Sequence, residues 1–222
     1  MCGRFLLTTD LDLLERAFGF EAPERPNLPP RWNVAPTDAI PIVRSKRDAP
    51  GRELAIVRWG LIPFWAAEAS VGGAKLINAR AEGIATKPAF REAFHRRRCL
   101  VPADGFYEWQ KLDDGRQPCL IRRRDRAPFA FAGLWERWNG PDGPVRTATI
   151  VTTTPNAVCA PVHNRMPVIL VEDDYDAWLD PARPGGEQLL RPCPDEWLEA
   201  FPVSRRVNSV KNDDATLIEP AA

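Results

Sequence analysis

Hydrophobic positions along this chain recur mostly at every second residue, in short runs, and only rarely at helical spacing. Leu11, Leu14 and Phe18 share one helical face, with Asp10 placed to cap the start and Gly19 to end it. Residues 21–30 are Pro-rich and read as a surface connection, followed by a loop over 31–37. The pattern then predicts strands at 39–44 and 53–59, joined into a hairpin by a turn at 46–52. The segment 60–65 breaks that pattern, and 75–82 reads as an extended stretch entering a short basic helix over 87–98. Further strands are predicted at 99–102, 105–111, 118–123, 129–135 and 146–153, separated by Asp-Gly and Gly-Pro turns. A helix capped by an acid follows at 173–179, and an extended piece at 201–208. Hairpin-length connections dominate, which points to one α+β domain with a mainly antiparallel sheet.

Composition narrows the classes. The 222 residues can bury a sizeable core, and 23 prolines keep helices and central strands short. The formal net charge is zero, so no bulk field advertises a nucleic-acid partner, although arginines cluster at 96–98, 122–124 and 205–206. Five cysteines without a CxxC spacing, and no targeting segment, point to a reducing cytoplasm, with Cys99, Cys119 and Cys159 as buried hydrophobes. With only His95 and His163 present, a Cys/His zinc site is not expected. No apolar stretch reaches membrane-spanning length.

Four stretches carry candidate chemistry. Cys2, once Met1 is removed, bears an α-amine and a thiol on adjacent carbons, with reference pKa values of about 8 and 8.5. The amine condenses with an aldehyde, and the thiol closes on the imine to a five-membered thiazolidine, an intramolecular step. In Ile77-Asn78-Ala79-Arg80-Ala81-Glu82 an extended backbone puts the polar side chains on one face, which lines a cleft or forms a wet edge strand. In Gly105-Phe106-Tyr107-Glu108-Trp109 a lone carboxylate sits among aromatics: buried, it serves as a proton carrier, and otherwise it lies on a wet face. In Pro161-Val162-His163-Asn164-Arg165-Met166-Pro167 the residue before Pro167 is held extended, so His163 and Arg165 face together as acid/base and anion clamp.

These stretches, with Trp32-Asn33-Val34-Ala35-Pro36 and Arg58-Trp59-Gly60-Leu61-Ile62-Pro63, occur in an order that resembles the SOS response-associated peptidase (SRAP) family of abasic-site processing proteins. The resemblance runs from residue 2 to about 210. It implies a single SRAP-like domain over 1–222 with a barrel-like, mainly antiparallel β core, a few short flanking helices and a Pro-rich tail from about 211. It further implies an enzyme of the DNA damage response that forms a covalent thiazolidine link between Cys2 and an abasic site in single-stranded DNA. The older family name implies instead a thiol peptidase that removes its own Met1; a non-catalytic single-strand-binding module is the third alternative. By resemblance, Cys2 supplies amine and thiol, Asn78 holds the amine and sugar oxygen, Glu108 is the general acid/base and His163 moves protons at the sugar hydroxyl. Arg4, Arg80 and Arg165 grip phosphates, while the loops carrying Asn33, Pro36, Trp59 and Trp65 form a wedge and stacking floor. Family members often carry a second bulky residue after the tryptophan matching Trp65; Ala66 stands there, shifting or weakening the stacking. The expectations are completed by no cofactor or metal, a monomer, and a prokaryotic cytoplasm.

Overall fold

The computed structural model describes residues 2–180, 182–183 and 186–221, so the expected processing at Met1 lies outside the described residues. In chain order the elements are β1 (Phe5–Leu7), α1 (Leu11–Phe18), β2 (Arg31–Val34), β3 (Ala39–Ser45), β4 (Arg52–Trp59), β5 (Asn78–Arg80), α2 (Arg91–Arg96) and β6 (Arg98–Ala103). They continue with β7 (Gly105–Leu112), β8 (Gly115–Arg123), β9 (Phe129–Gly140), β10 (Gly143–Thr153), β11 (Met166–Pro167), β12 (Ile169–Leu170), α3 (Tyr175–Leu179) and β13 (Leu198–Pro202).

Strands β10, β4, β3, β6 and β9 pair in that order, and β9 pairs back onto β10, so they close a five-stranded barrel. An odd ring cannot alternate direction throughout, and one seam must run parallel. That seam is β4 against β10, paired at Thr147↔Arg58 and Ala148↔Trp59. Farther along β10 the short β5 continues in the same parallel sense, at Ile150↔Asn78 through Thr152↔Arg80. Gly60 N donates to Ala148 O and Ile150 N to Ile77 O, so β4 and β5 share one edge of β10 like two halves of an interrupted strand. A second, antiparallel sheet, ordered β13-β8-β7-β1-β2, packs beside the barrel. The fold is α+β, as expected.

The alternating runs form strands because each buries one face. Phe5, fully buried, meets Trp59 and Phe131 edge-on at 5.2 and 5.9 Å, which ties the first residues into the core. Burying such a side chain contributes about 1.5–3 kcal/mol, enough to hold an N-terminus that otherwise frays. Helix α1 follows its sequence signals: Asp10 accepts a hydrogen bond from Leu13 N at 2.9 Å, and Gly19 takes the left-handed conformation at φ 63°.

Several expectations are corrected. The loop expected at 31–37 begins as β2, because β1 offers it a free edge. The basic helix shrinks to α2, since Arg98 is drawn into β6 opposite Leu134. The acid cap of α3 is absent: a 3-10 turn over Glu172–Asp174 leads into it, and Asp174 makes no side-chain cap. The extended piece ends at Pro202, and Arg205–Asn208 is a 3-10 turn. The segment expected as a tail from 211 is docked on the fold. Asp213 accepts from Trp32 N at 2.6 Å and Asn33 N at 3.0 Å, and Leu217 is buried. No helix among the described residues is long and apolar enough to cross a membrane.

Candidate active site

The N-terminal segment enters the site because β1 is central in its sheet, between β2 and β7. Tyr107 N donates to Arg4 O at 2.9 Å, extending that pairing toward Cys2. In the 222-residue chain the Cys2 side chain is fully buried, and Asn78 Nδ2 donates to its carbonyl oxygen at 2.8 Å. Asn78 is held there by the register of β5 on β10, while Ala79 behind it is fully buried. Asn78 Oδ1 is buried and accepts no hydrogen bond among the described residues.

Glu108 is also buried, at 3% exposure, so the wet-face alternative is excluded. Burial first, and then the Glu108 carboxylate, push the Cys2 thiol up. Burial, then Cys193 and then Glu108 push Cys159 up to about 12. Glu108 therefore acts on both the Cys2 segment and the loop that carries Cys159. That loop is fastened to β7 by Gln110 Nε2 donating to Pro161 O at 3.1 Å. His163 N donates to Cys159 O at 2.9 Å, so His163 follows directly on a turn, while Met166, the residue before Pro167, is extended as expected. Its Nδ1 accepts from Arg165 N at 3.0 Å.

Arg165 and Glu82 form a two-pronged ion pair, at 2.6 and 2.9 Å, and Arg165 Nη2 also donates to Thr152 O at 2.6 Å. The Arg165 hydrogen bonds, and the neighbouring charge of Arg165, outweigh burial and hold the Glu82 carboxyl below its usual range. Arg80, one β5 position past Ala79, is exposed. The Thr152 carbonyl that fixes Arg165 is a backbone group and had no sequence signal.

Two of the expected DNA contacts, Asn33 and Trp59, are fully buried. Asn33 is fully buried; its Nδ2 faces the carbonyls of Asn212, Ser209 and Val207 at 2.7, 3.1 and 3.3 Å. Its Oδ1 accepts from Arg4 Nη1 at 2.7 Å, and the same Nη1 donates to Val207 O at 2.8 Å. Arg4 and Asn33 thus hold the 207–212 segment, and Arg4 lies 5.8 Å from the Trp109 ring centroid. Trp59 is fully buried with Nε1 donating to Ile77 O at 2.9 Å, so it is a core residue and no stacking floor. Pro36 is half-buried in a turn. The available aromatics are Phe64 and Trp65, 52% and 49% exposed. Ala66 is buried against Ile62 and Trp138, and its carbonyl accepts from Trp138 Nε1 at 2.7 Å, which leaves no room there for a bulky residue.

Among the described residues no three His, Cys, Asp or Glu side chains cluster to hold a metal. The sequence profile described as SOS response associated peptidase (SRAP) matches residues 1–210. The chain is 42% identical over 226 residues to the abasic site processing protein YoqW of Bacillus subtilis, covering 99% of each. It is 30% identical over 261 residues to the abasic site processing protein HMCES of Gallus gallus, covering 99% of this chain and 78% of that one. A crystal structure of a protein from Bacteroides thetaiotaomicron superposes with a TM-score of 0.87 at 27% identity, covering 100% of both chains. With a family profile spanning nearly the whole chain and relatives matched end to end, this protein belongs to the SRAP family.

Proposed function

We propose that this protein captures abasic sites in single-stranded DNA as a covalent thiazolidine on Cys2, once Met1 has been removed. The ring-opened sugar presents an aldehyde at C1′. The Cys2 amine attacks that carbon, water leaves, and Sγ adds to the imine carbon as its proton passes to nitrogen. Glu108 carries the proton between these steps, and His163 serves the sugar hydroxyl. Arg80 and Arg165 hold the flanking phosphates, and Phe64 and Trp65 stack neighbouring bases.

The observation that carries this reading is the junction of distant segments at Cys2. Asn78 lies 2.8 Å from its carbonyl oxygen, and a buried Glu108 is near enough to bias its thiol. Asn78 Oδ1 meets no donor among the described residues and is an acceptor suited to the amine that processing creates.

The test is denaturing electrophoresis of the protein with a single strand containing one abasic site. Wild type should give a stable adduct with that strand and none with the intact strand. Cys2→Ala should give an adduct only when a reductant traps the imine. A stable Cys2→Ala adduct without reductant would overturn the mechanism.

A further inference from the structure

Outside the site, Arg58 on β4, Arg137 on β9 and Arg146 on β10 line one groove of about 690 Å³ at the barrel wall, together with Thr37, Ala39 and Ile56. All three arginines are exposed. Arg146 stands directly opposite Arg137 across the β9–β10 ladder, and Thr147 is the register partner of Arg58. Like charges placed opposite each other on neighbouring strands destabilise a sheet. None of the three guanidinium groups has an ion pair or hydrogen bond among the described residues, and no acidic side chain lines the groove. Elsewhere on the barrel such charges are neutralised, as Arg44 on β3 is by Glu53 on β4 at 2.8 Å. A groove carrying three uncompensated positive charges in a chain of zero net charge is complementary to a polyanion.

The crossing formed by residues 61–66 follows β4, which carries Arg58, and leads toward Asn78: Ile62 N donates to Thr147 Oγ1 at 2.9 Å, and Leu61 N donates to Leu76 O at 3.1 Å. This crossing carries the exposed Phe64 and Trp65. From Arg146 to Thr152, the register partner of Arg80, the path along β10 is about 20 Å at ~3.3 Å per residue. We propose that the groove holds the phosphodiester backbone of the unpaired strand flanking the nucleotide at Cys2, an inference that rests on the function proposed above. Exposed aromatics along the path favour unpaired bases over a duplex, since only unstacked bases offer their faces.

The experiment measures affinity against salt concentration for wild type and the variant Arg58→Gln/Arg137→Gln/Arg146→Gln. The probes carry a tetrahydrofuran abasic analogue, which has no aldehyde, in single strands of about 20 and about 5 nucleotides. The variant should bind the long strand more weakly, with a slope of log affinity against log salt shallower by about 2, at ~0.7 for each phosphate no longer neutralised. Between ~50 and ~200 mM salt, wild type should accordingly lose about twentyfold more affinity than the variant. The short strand should bind both proteins equally, and Arg→Lys at all three positions should restore the slope. Equal slopes on the long strand, or an equal loss on the short one, would overturn the proposal. A loss confined to a probe whose flank is annealed into duplex would assign the groove to a duplex and overturn the single-strand assignment. Cross-linking of an authentic abasic short strand by both proteins reports separately on Cys2: if neither cross-links, the reading at Cys2 fails whatever the groove does.

Discussion

In the function proposed above Arg165 holds a DNA phosphate, and Glu82 occupies its guanidinium, so Glu82→Gln should strengthen DNA binding although it removes an ion pair. The side chain of Arg165 is 13% exposed and that of Glu82 58%, so the pair stands partly in solvent. Such a pair is worth about 0.5–1 kcal/mol after screening. A phosphate that displaces Glu82 forfeits that amount, and the neutral glutamine should return it as a gain of about two- to fivefold in affinity. Arg165 stays in place in the variant, because Thr152 O still accepts from its Nη2. The melting temperature should fall by no more than about 4 °C. Fluorescence anisotropy with a tetrahydrofuran-containing single strand measures the affinity. The pH dependence gives an internal control. Glu82 has its folded pKa depressed by the Arg165 hydrogen bonds and charge, so the pair contributes above the ordinary Glu range and is lost as pH falls through the depressed value. Wild type and variant should therefore converge in acid and diverge toward neutrality. An affinity unchanged or lowered at neutral pH would refute competition between Glu82 and phosphate.

Asn33→Ala should lower stability by about 3 kcal/mol, roughly 6–12 °C in melting temperature, by stripping Arg4, the buried Val207 carbonyl and two part-buried carbonyls of a partner. The salt slope of DNA binding should not change, since Asn33 does not reach solvent. Ala66→Trp should cost about 1–3 kcal/mol by overpacking against Ile62 and Trp138, measured by thermal melting, and should not tighten single-strand binding. Glu108→Gln should slow adduct formation by about 100-fold or more in single-turnover gels, and a loss under tenfold would remove Glu108 from proton transfer.

Local chemistry was legible where it decides the outcome locally. Asp10 and Gly19 bound α1 because capping needs only neighbours, and the 39–59 hairpin closes on itself in seven register pairs. The alanine face of 77–82 gave the burial of Ala79, and its acid gave the partner of Arg165. What escaped was set at long range. Asn33 looks like a loop residue offered to a ligand, yet its partners lie 174 to 179 residues away. Trp59 reads as an exposed platform until the barrel closes, when its indole is fixed by Ile77 O. The barrel itself depends on β4 meeting β10, a pairing of two register positions between distant segments that no alternation pattern reports.

The shared edge of β4 and β5 on β10 makes residues 60–77 an exchangeable cassette. Its neck is zipped shut: Gly73 N donates to Leu61 O and Leu61 N to Leu76 O, each at 3.1 Å. A side chain at Gly60 would strike Gly73 O at 2.6 Å, and one at Gly72 would strike Leu61 O. With that neck kept, the exposed crown around Phe64 and Trp65 can be lengthened, shortened or recomposed while β10 continues to hold Asn78 and Arg80 in register. Under the proposed function, base preference can thus be redesigned without re-engineering the residues around Cys2.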